Sequence, residues 1–143
     1  MEVLYLQQNS DYNKVMDVLL QLRPSYNRQS LSEQVQKQIT QGYQVVYVKS
    51  DQDVLAAAGF VVGEKLAWGK HVYIDDLVTS ESSRSTGVGA FLIDWFKAYC
   101  LEHNCEQLHL DSGVQRFSAH RFYLSHRFDI TSHHFALTEI SSS

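Results

Sequence analysis

Arg84-Ser-Thr-Gly87-Val-Gly89 stands directly ahead of a segment whose Phe91, Leu92, Trp95, Phe96 and Tyr99 recur at intervals of three and four. That spacing predicts a helix beginning near Val88. The first amides of a helix have no intrahelical partner, and the aligned peptide dipoles add about half a unit of positive charge there. An anion, most simply a phosphate, binds at such a place without needing a cationic side chain. Gly87 and Gly89 would remove Cβ atoms from its approach, and Arg84 would add a charge-assisted contact at the rim. The alternative is a tight turn that needs glycine for steric reasons alone. A Walker loop is poorly supported, because Ala90 and Phe91 follow Gly89 where Lys and Ser or Thr are required. A dinucleotide loop is a poor second, lacking a third glycine and following the fourth expected strand rather than the first.

Other reactive residues are fewer. Asp75 and Asp76 are consecutive in an apolar strand, where burying two carboxylates is costly without partners; on a regular strand they face opposite sides. One of them therefore suggests a base, against the alternative of a carboxylate satisfied by local backbone or a lysine. Seven histidines show no metal-binding pattern: His120 and His126 are six apart, and His133 and His134 point oppositely on a strand. No metal is expected. Cys100 and Cys105 are too few and too close for a disulfide framework, which leaves ordinary reduced thiols.

The elements that must position these residues follow from the pattern. Glu2 to Gln7 predicts a strand; Ser10 or Asp11 caps a helix that Pro24 ends; Ser30 and Glu33 have capping-box spacing for a second helix that Gly42 ends. Tyr43 to Lys49, Val54 to Val62 and Lys70 to Thr79 predict three strands in an antiparallel meander. The helix from Val88 to His103 then crosses to a parallel strand at Glu106 to Asp111. A fourth helix covers Gln115 to His126, and Phe128 to Leu137 closes as a last strand. The class is α/β of the α+β type: a mixed, mainly antiparallel sheet of six to seven strands flanked by four helices, in the order β-α-α-β-β-β-α-β-α-β.

At 143 residues, with 44% hydrophobic and 20% charged residues, the chain is expected to be one globular domain, residues 1–143, burying roughly two-thirds of its unfolded surface. A formal charge of -4 argues against coating nucleic acid, which rests on clustered Lys and Arg. No apolar run approaches the ~20 residues of a membrane span, and the first residues do not read as a leader. A cytoplasmic protein is expected, with no nucleic-acid or membrane partner.

The loop and this element order together resemble the GNAT superfamily of acyl-CoA-dependent N-acetyltransferases, whose signature is Q/R-x-x-G-x-G/A. Ala119 to Phe128, "AHRFYLSHRF", is similar to that family's A-x-x-F/L-Y-x-x-x-G-F segment. The resemblance implies acetyl-CoA as co-substrate, lying where the strand before the loop bulges and splays from its parallel neighbour. It implies that backbone groups of Leu77, Val78 and Thr79 contact the pantetheine and the thioester carbonyl. The amides of Ser85, Thr86, Gly87, Val88, Gly89 and Ala90, with Arg84, would hold the pyrophosphate. Tyr123 would protonate the departing thiolate, and Asp75 falls where some small-amine members carry an acidic residue that deprotonates or positions the substrate. Two positions depart from the pattern: Arg116 replaces an Asn and Arg127 replaces the glycine before Phe128. The first leaves Ser112 or Arg116 to contact the cofactor. The implied reaction is direct attack of a small-molecule or peptide amine on the thioester; a non-catalytic acyl-CoA sensor of the same fold is the alternative. The acceptor is expected near Arg23 to Gln34, and the resemblance allows a homodimer through the last strand.

Overall fold

A computed structural model describes residues 1–84 and 86–141. Ser85, one of the expected pyrophosphate-binding residues, lies outside them. The chain divides into two compact units, Met1–Leu110 and Asp111–Ser143.

The first unit runs β1 (Glu2–Tyr5), α1 (Tyr12–Leu22), α2 (Arg28–Ile39), β2 (Gln44–Ser50), β3 (Asp53–Lys65), β4 (Gly69–Thr79), a short 3-10 turn (Glu81–Ser83), α3 (Val88–Glu102) and β5 (Gln107–Leu110). The sheet has the order β1-β2-β3-β4-β5. Its first three pairings are antiparallel, and β4 with β5 is parallel. Alternation sorts its side chains. Tyr43, Val45, Tyr47, Ala57 and Val78 turn toward Val15, Met16, Leu19, Leu31 and Val35 of α1 and α2. Phe60 turns to the other face, edge-on to Phe96 of α3 at 5.1 Å. Each such fully buried large apolar side chain contributes about 1.5–3 kcal/mol.

Two helix starts differ from expectation. Asp11 precedes α1 but makes no capping bond; its buried carboxylate instead accepts from the Tyr47 hydroxyl at 2.8 Å and from Lys49 Nζ at 3.0 Å. Those bonds tie the start of α1 to β2, and they hold the Asp11 carboxyl below the ordinary range, the Tyr47 hydrogen bond first and Lys49 second. The capping box of α2 is Asn27 with Ser30, not Ser30 with Glu33. Ser30 N–H donates to Asn27 Oδ1 at 2.8 Å, and Asn27 N–H donates to Ser30 Oγ at 3.0 Å. Asn at the cap satisfies the same orphan amide that a serine would.

The second unit contains α4 (Phe117–Ser125). Arg127 takes a left-handed φ of 72°. Around it Arg127 N–H reaches the Leu124 carbonyl and Phe128 N–H reaches the Tyr123 carbonyl, both at 3.1 Å. That is a Schellman ending, and the accompanying apolar contact is Phe128 against Tyr123 at 5.7 Å. The position occupied by Arg127 thus demands a conformation that glycine adopts at no steric cost, in keeping with the glycine of the pattern that this segment resembles.

The expected strand at Phe128 to Leu137 does not form, so the described residues hold five strands rather than six to seven. Alternation of apolar residues states only that a face wants covering; a strand also needs a ladder partner. Ile130, Phe135, Leu137 and Ile140 are exposed instead. No helix among the described residues is long and apolar enough to cross a membrane.

Candidate functional site

One part of the site is made of backbone. The parallel register of β4 with β5 ends at Ile74 opposite Leu110, whereas β4 continues beside β3 as far as Thr79 opposite Ala56. The other edge of Leu77, Val78 and Thr79 has no strand partner among the described residues. Past Thr79 the chain is fastened: Ser80 N–H donates to the Leu55 carbonyl and Ser83 N–H to the Ser80 carbonyl, both at 2.8 Å. The Thr86 hydroxyl donates to the Ser83 carbonyl. Arg84 is exposed on this loop. Gly87 then takes φ 84° and caps α3. A Cβ on Gly87 would meet nothing within 4 Å among the described residues, so among them this glycine is required by its left-handed φ and not by crowding. The first intrahelical bond of α3 runs from Phe91 N–H to the Gly87 carbonyl. The amides of Val88, Gly89 and Ala90 therefore point out of the helix start unpaired by it.

The other part is made of side chains. Gly59 pairs with Asp76 while Phe60 pairs with Ile74, which leaves Asp75 as the extra residue of a β-bulge. The expectation that Asp75 and Asp76 face opposite sides holds for a regular strand and fails here. The bulge shifts the alternation by one, and both residues line one cavity of about 260 Å³. Asp75 is exposed at it. Asp76 is held: Tyr43 O–H donates to Oδ2 at 2.6 Å and Arg23 Nε donates to Oδ1 at 2.9 Å. A second guanidinium nitrogen of Arg23 donates to the Asp75 carbonyl at 3.2 Å. The Tyr43 phenol reaches Asp76 across Gly59, where a Cβ would lie 1.5 Å from its oxygen. Burial first, then the Asp76 charge, pushes the Tyr43 phenol far above its ordinary value; it is a permanent donor.

Sequence reasoning missed Tyr43 and Gly59 as site residues, and of the two adjacent acids it settled on Asp75 rather than Asp76. The signal available was Gly59 alone in the middle of "VLAAAGFVV", since an isolated glycine inside a strand marks a bulge or a close approach. The segment Arg23 to Gln34 does reach the cavity, through Arg23, Tyr26, Leu31 and Gln34.

In the second unit, Tyr123 is a half-buried residue of α4. Burial pushes its phenol above the ordinary value, with Arg116 pulling the other way. Arg116 is exposed at the start of α4. Ser112 Oγ is buried without a hydrogen-bond partner among the described residues, a state that costs about 1–3 kcal/mol. The cysteines are free, and burial with the neighbouring Cys105 pushes the Cys100 thiol up to about 11. Among the described residues no three His, Cys, Asp or Glu side chains converge as a metal-binding set.

The model of the acetyltransferase (GNAT) family matches residues 12–128. The chain belongs to the GNAT family. It is 33% identical over 95 residues to the uncharacterized N-acetyltransferase YhdJ of Bacillus subtilis, a match covering 66% of this chain and 65% of that relative. Solved GNAT-type folds superimpose over nearly its whole length. A transcriptional regulator from Bacillus halodurans has a TM-score of 0.84 at 17% identity, over 96% of this chain and 99% of that one. The aminoglycoside 6'-N-acetyltransferase of Acinetobacter haemolyticus has 0.79 at 13% identity, over 99% and 100%. Glucosamine-6-phosphate N-acetyltransferase from Arabidopsis thaliana has 0.75 at 16% identity, over 95% and 96%. At these identities the likeness establishes the α+β GNAT fold.

Proposed function

We propose that this GNAT protein is a cytoplasmic N-acetyltransferase that moves an acetyl group from acetyl-CoA to a primary amine of a small molecule or peptide, by direct attack in a ternary complex. The observation that carries the reading is the unpaired edge of β4 at Leu77–Thr79, followed by a glycine-capped helix start in a chain of this family. The residues fit acetyl-CoA on two further counts. Among the described residues nothing lies within 4 Å of a Cβ placed on Gly87, and, separately, in the second unit the Ser112 hydroxyl has no hydrogen-bond partner among them.

Bound there, acetyl-CoA supplies an acetyl group activated as a thioester. The amides of Thr86, Gly87, Val88, Gly89 and Ala90 then face the pyrophosphate, with Arg84 at the rim. Backbone N–H groups of Leu77 to Thr79 stabilise negative charge developing on the thioester oxygen. Asp75, exposed on the cavity, takes the proton that the attacking amine loses, directly or through water. The Tyr123 hydroxyl gives a proton to the departing sulfur, and its upward-shifted phenol stays protonated through neutral pH.

The deciding measurement is the thermal midpoint with acetyl-CoA, CoA and NADH, each at about 1 mM. A ligand at ~100 times its Kd adds about 2.7 kcal/mol, or several degrees. A rise with the CoA species alone is expected; none with either returns the loop to a structural turn. Tyr123→Phe is expected to lower kcat at least ~10-fold with CoA affinity nearly unchanged, and intact turnover removes Tyr123 from the mechanism. Because the phenol is shifted upward, the wild-type rate should not fall on the alkaline side below pH ~10 through this group. Tight CoA binding with no amine-stimulated thiol release across a broad amine panel would make the protein a sensor instead.

A further inference from the structure

The cavity at Asp75 and Asp76 already contains a cationic group, and it belongs to the protein. The Arg23 guanidinium donates to Asp76 Oδ1 and to the Asp75 carbonyl, at 2.9 and 3.2 Å. The two acceptors are fixed more firmly than the donor is. The bulge sets the carbonyl; Tyr43, only 5% exposed and lying over Gly59, holds the other carboxylate oxygen. Arg23 sits just past the end of α1, immediately before Pro24, and its side chain is 48% exposed. These contacts with Asp75 and Asp76 are its side-chain polar contacts among the described residues. Arg23, Asp75 and Asp76 are the charged side chains of the cavity. Swinging Arg23 outward leaves the Asp76 carboxylate and the Asp75 carbonyl facing the same space.

We propose that this cradle binds the cationic group of the acceptor, and that Arg23 is a stand-in which the acceptor displaces. The inference rests on the acetyltransferase reading and narrows its substrate class. A nitrogen held by a carboxylate and a carbonyl is kept protonated, and a protonated amine has no lone pair with which to attack a thioester. The anchored nitrogen is therefore not the reacting one. The acceptor carries two basic nitrogens: an ammonium or guanidinium in the cradle and a separate primary amine, which attacks after losing its proton.

The test is calorimetric titration of the full chain, without acetyl-CoA and at low salt, with 1,4-diaminobutane and with n-butylamine. Wild type, Arg23→Gln and Asp76→Asn are compared. Both probes are expected to bind, about fivefold tighter in Arg23→Gln because no internal cation competes. Binding should be at least about tenfold weaker in Asp76→Asn. With acetyl-CoA present, the diamine should be acetylated at least about tenfold more efficiently, while n-butylamine competes with it as a poor acceptor. Unchanged or weaker binding in Arg23→Gln overturns the stand-in, and this half-exposed variant decides the matter even if Asp76→Asn does not fold. Unchanged binding in a folded Asp76→Asn overturns the cradle. Transfer indifferent to both substitutions removes the cradle and leaves the acetyltransferase reading. The expected binding pattern with no transfer to either amine keeps a cation cradle but overturns its assignment to the acceptor, and the acetyltransferase reading is then decided by the broad amine panel.

Discussion

Toward the loop at Arg84 to Ala90 the first unit presents main chain: a strand edge without a strand partner among the described residues, a glycine with φ 84° and the first amides of α3. Around Asp76 it presents side chains that are already paired with one another, Tyr43 on one carboxylate oxygen and Arg23 on the other. Both regions grow from the same strand, β4, and they differ in what they ask of the sequence. A main-chain site constrains few residue types but constrains them locally, as two glycines and a helix start. A side-chain site takes its members wherever the fold delivers them, here from the end of α1, the start of β2, the middle of β3 and the bulge of β4.

Breaking the side-chain region has the largest expected effect. Gly59→Ala puts a methyl group 1.5 Å from the Tyr43 oxygen and 2.0 Å from its ring carbon, so the phenol must leave. Tyr43 loses its burial and Asp76 loses a donor; overpacking and an unmade bond of this kind together cost about 3 kcal/mol. Chemical denaturation should read that loss directly. The amine binding proposed for the cavity should fail with it, while stabilisation by CoA, proposed for the other region, should survive. If CoA stabilisation disappears as well, the two regions are one cooperative unit and the division drawn between them is wrong.

The main-chain region breaks more quietly. Gly87→Ala meets no atom of the described residues within 4 Å, so the cost expected from them is that of the left-handed φ, about 1–2 kcal/mol. Its effect on acetyl-CoA is expected to be larger in proportion, at least about tenfold in Kd, or roughly 1.4 kcal/mol. Tyr43, Asp76 and the cavity they line should be untouched. A variant that loses stability but binds CoA like wild type would show that Gly87 serves the turn and not the phosphate.

The same contrast explains what the sequence revealed. The β-α-α-β-β-β-α-β-α order was legible because α1, α3 and the three long strands each state their own period, and the glycine loop because its requirements sit within six residues. The last strand was not, since the alternation from Phe128 to Leu137 says nothing about a ladder partner. The cavity was half legible. Asp75 and Asp76 drew notice as adjacent acids in an apolar strand, but putting both on one side needs a bulge, and the bulge is fixed by the pairing of Gly59 with Asp76 across two strands. Tyr43 reads in sequence as one more aromatic at a strand start. Its role appears only when Gly59 leaves room for its hydroxyl.

Substitution at Arg127 is expected to have a smaller effect, and it separates the cost of a left-handed φ from the value of a ligand. Arg127 holds φ 72° without being glycine, close to the 84° of Gly87. Arg127→Gly removes the Cβ penalty and regains part of it as chain entropy in the unfolded state, for a net gain of about 0.5–1 kcal/mol if the Schellman bonds to Leu124 and Tyr123 persist. Thermal or urea unfolding measures it. A gain of that size, set beside the loss in Gly87→Ala, calibrates what φ alone costs in this protein. Any CoA affinity that Gly87→Ala loses beyond that calibrated strain then belongs to the approach of the phosphate. A loss of stability in Arg127→Gly would instead mean that the Arg127 side chain contributes more than its backbone costs, and the departure from the family's glycine would be an adaptation of this chain.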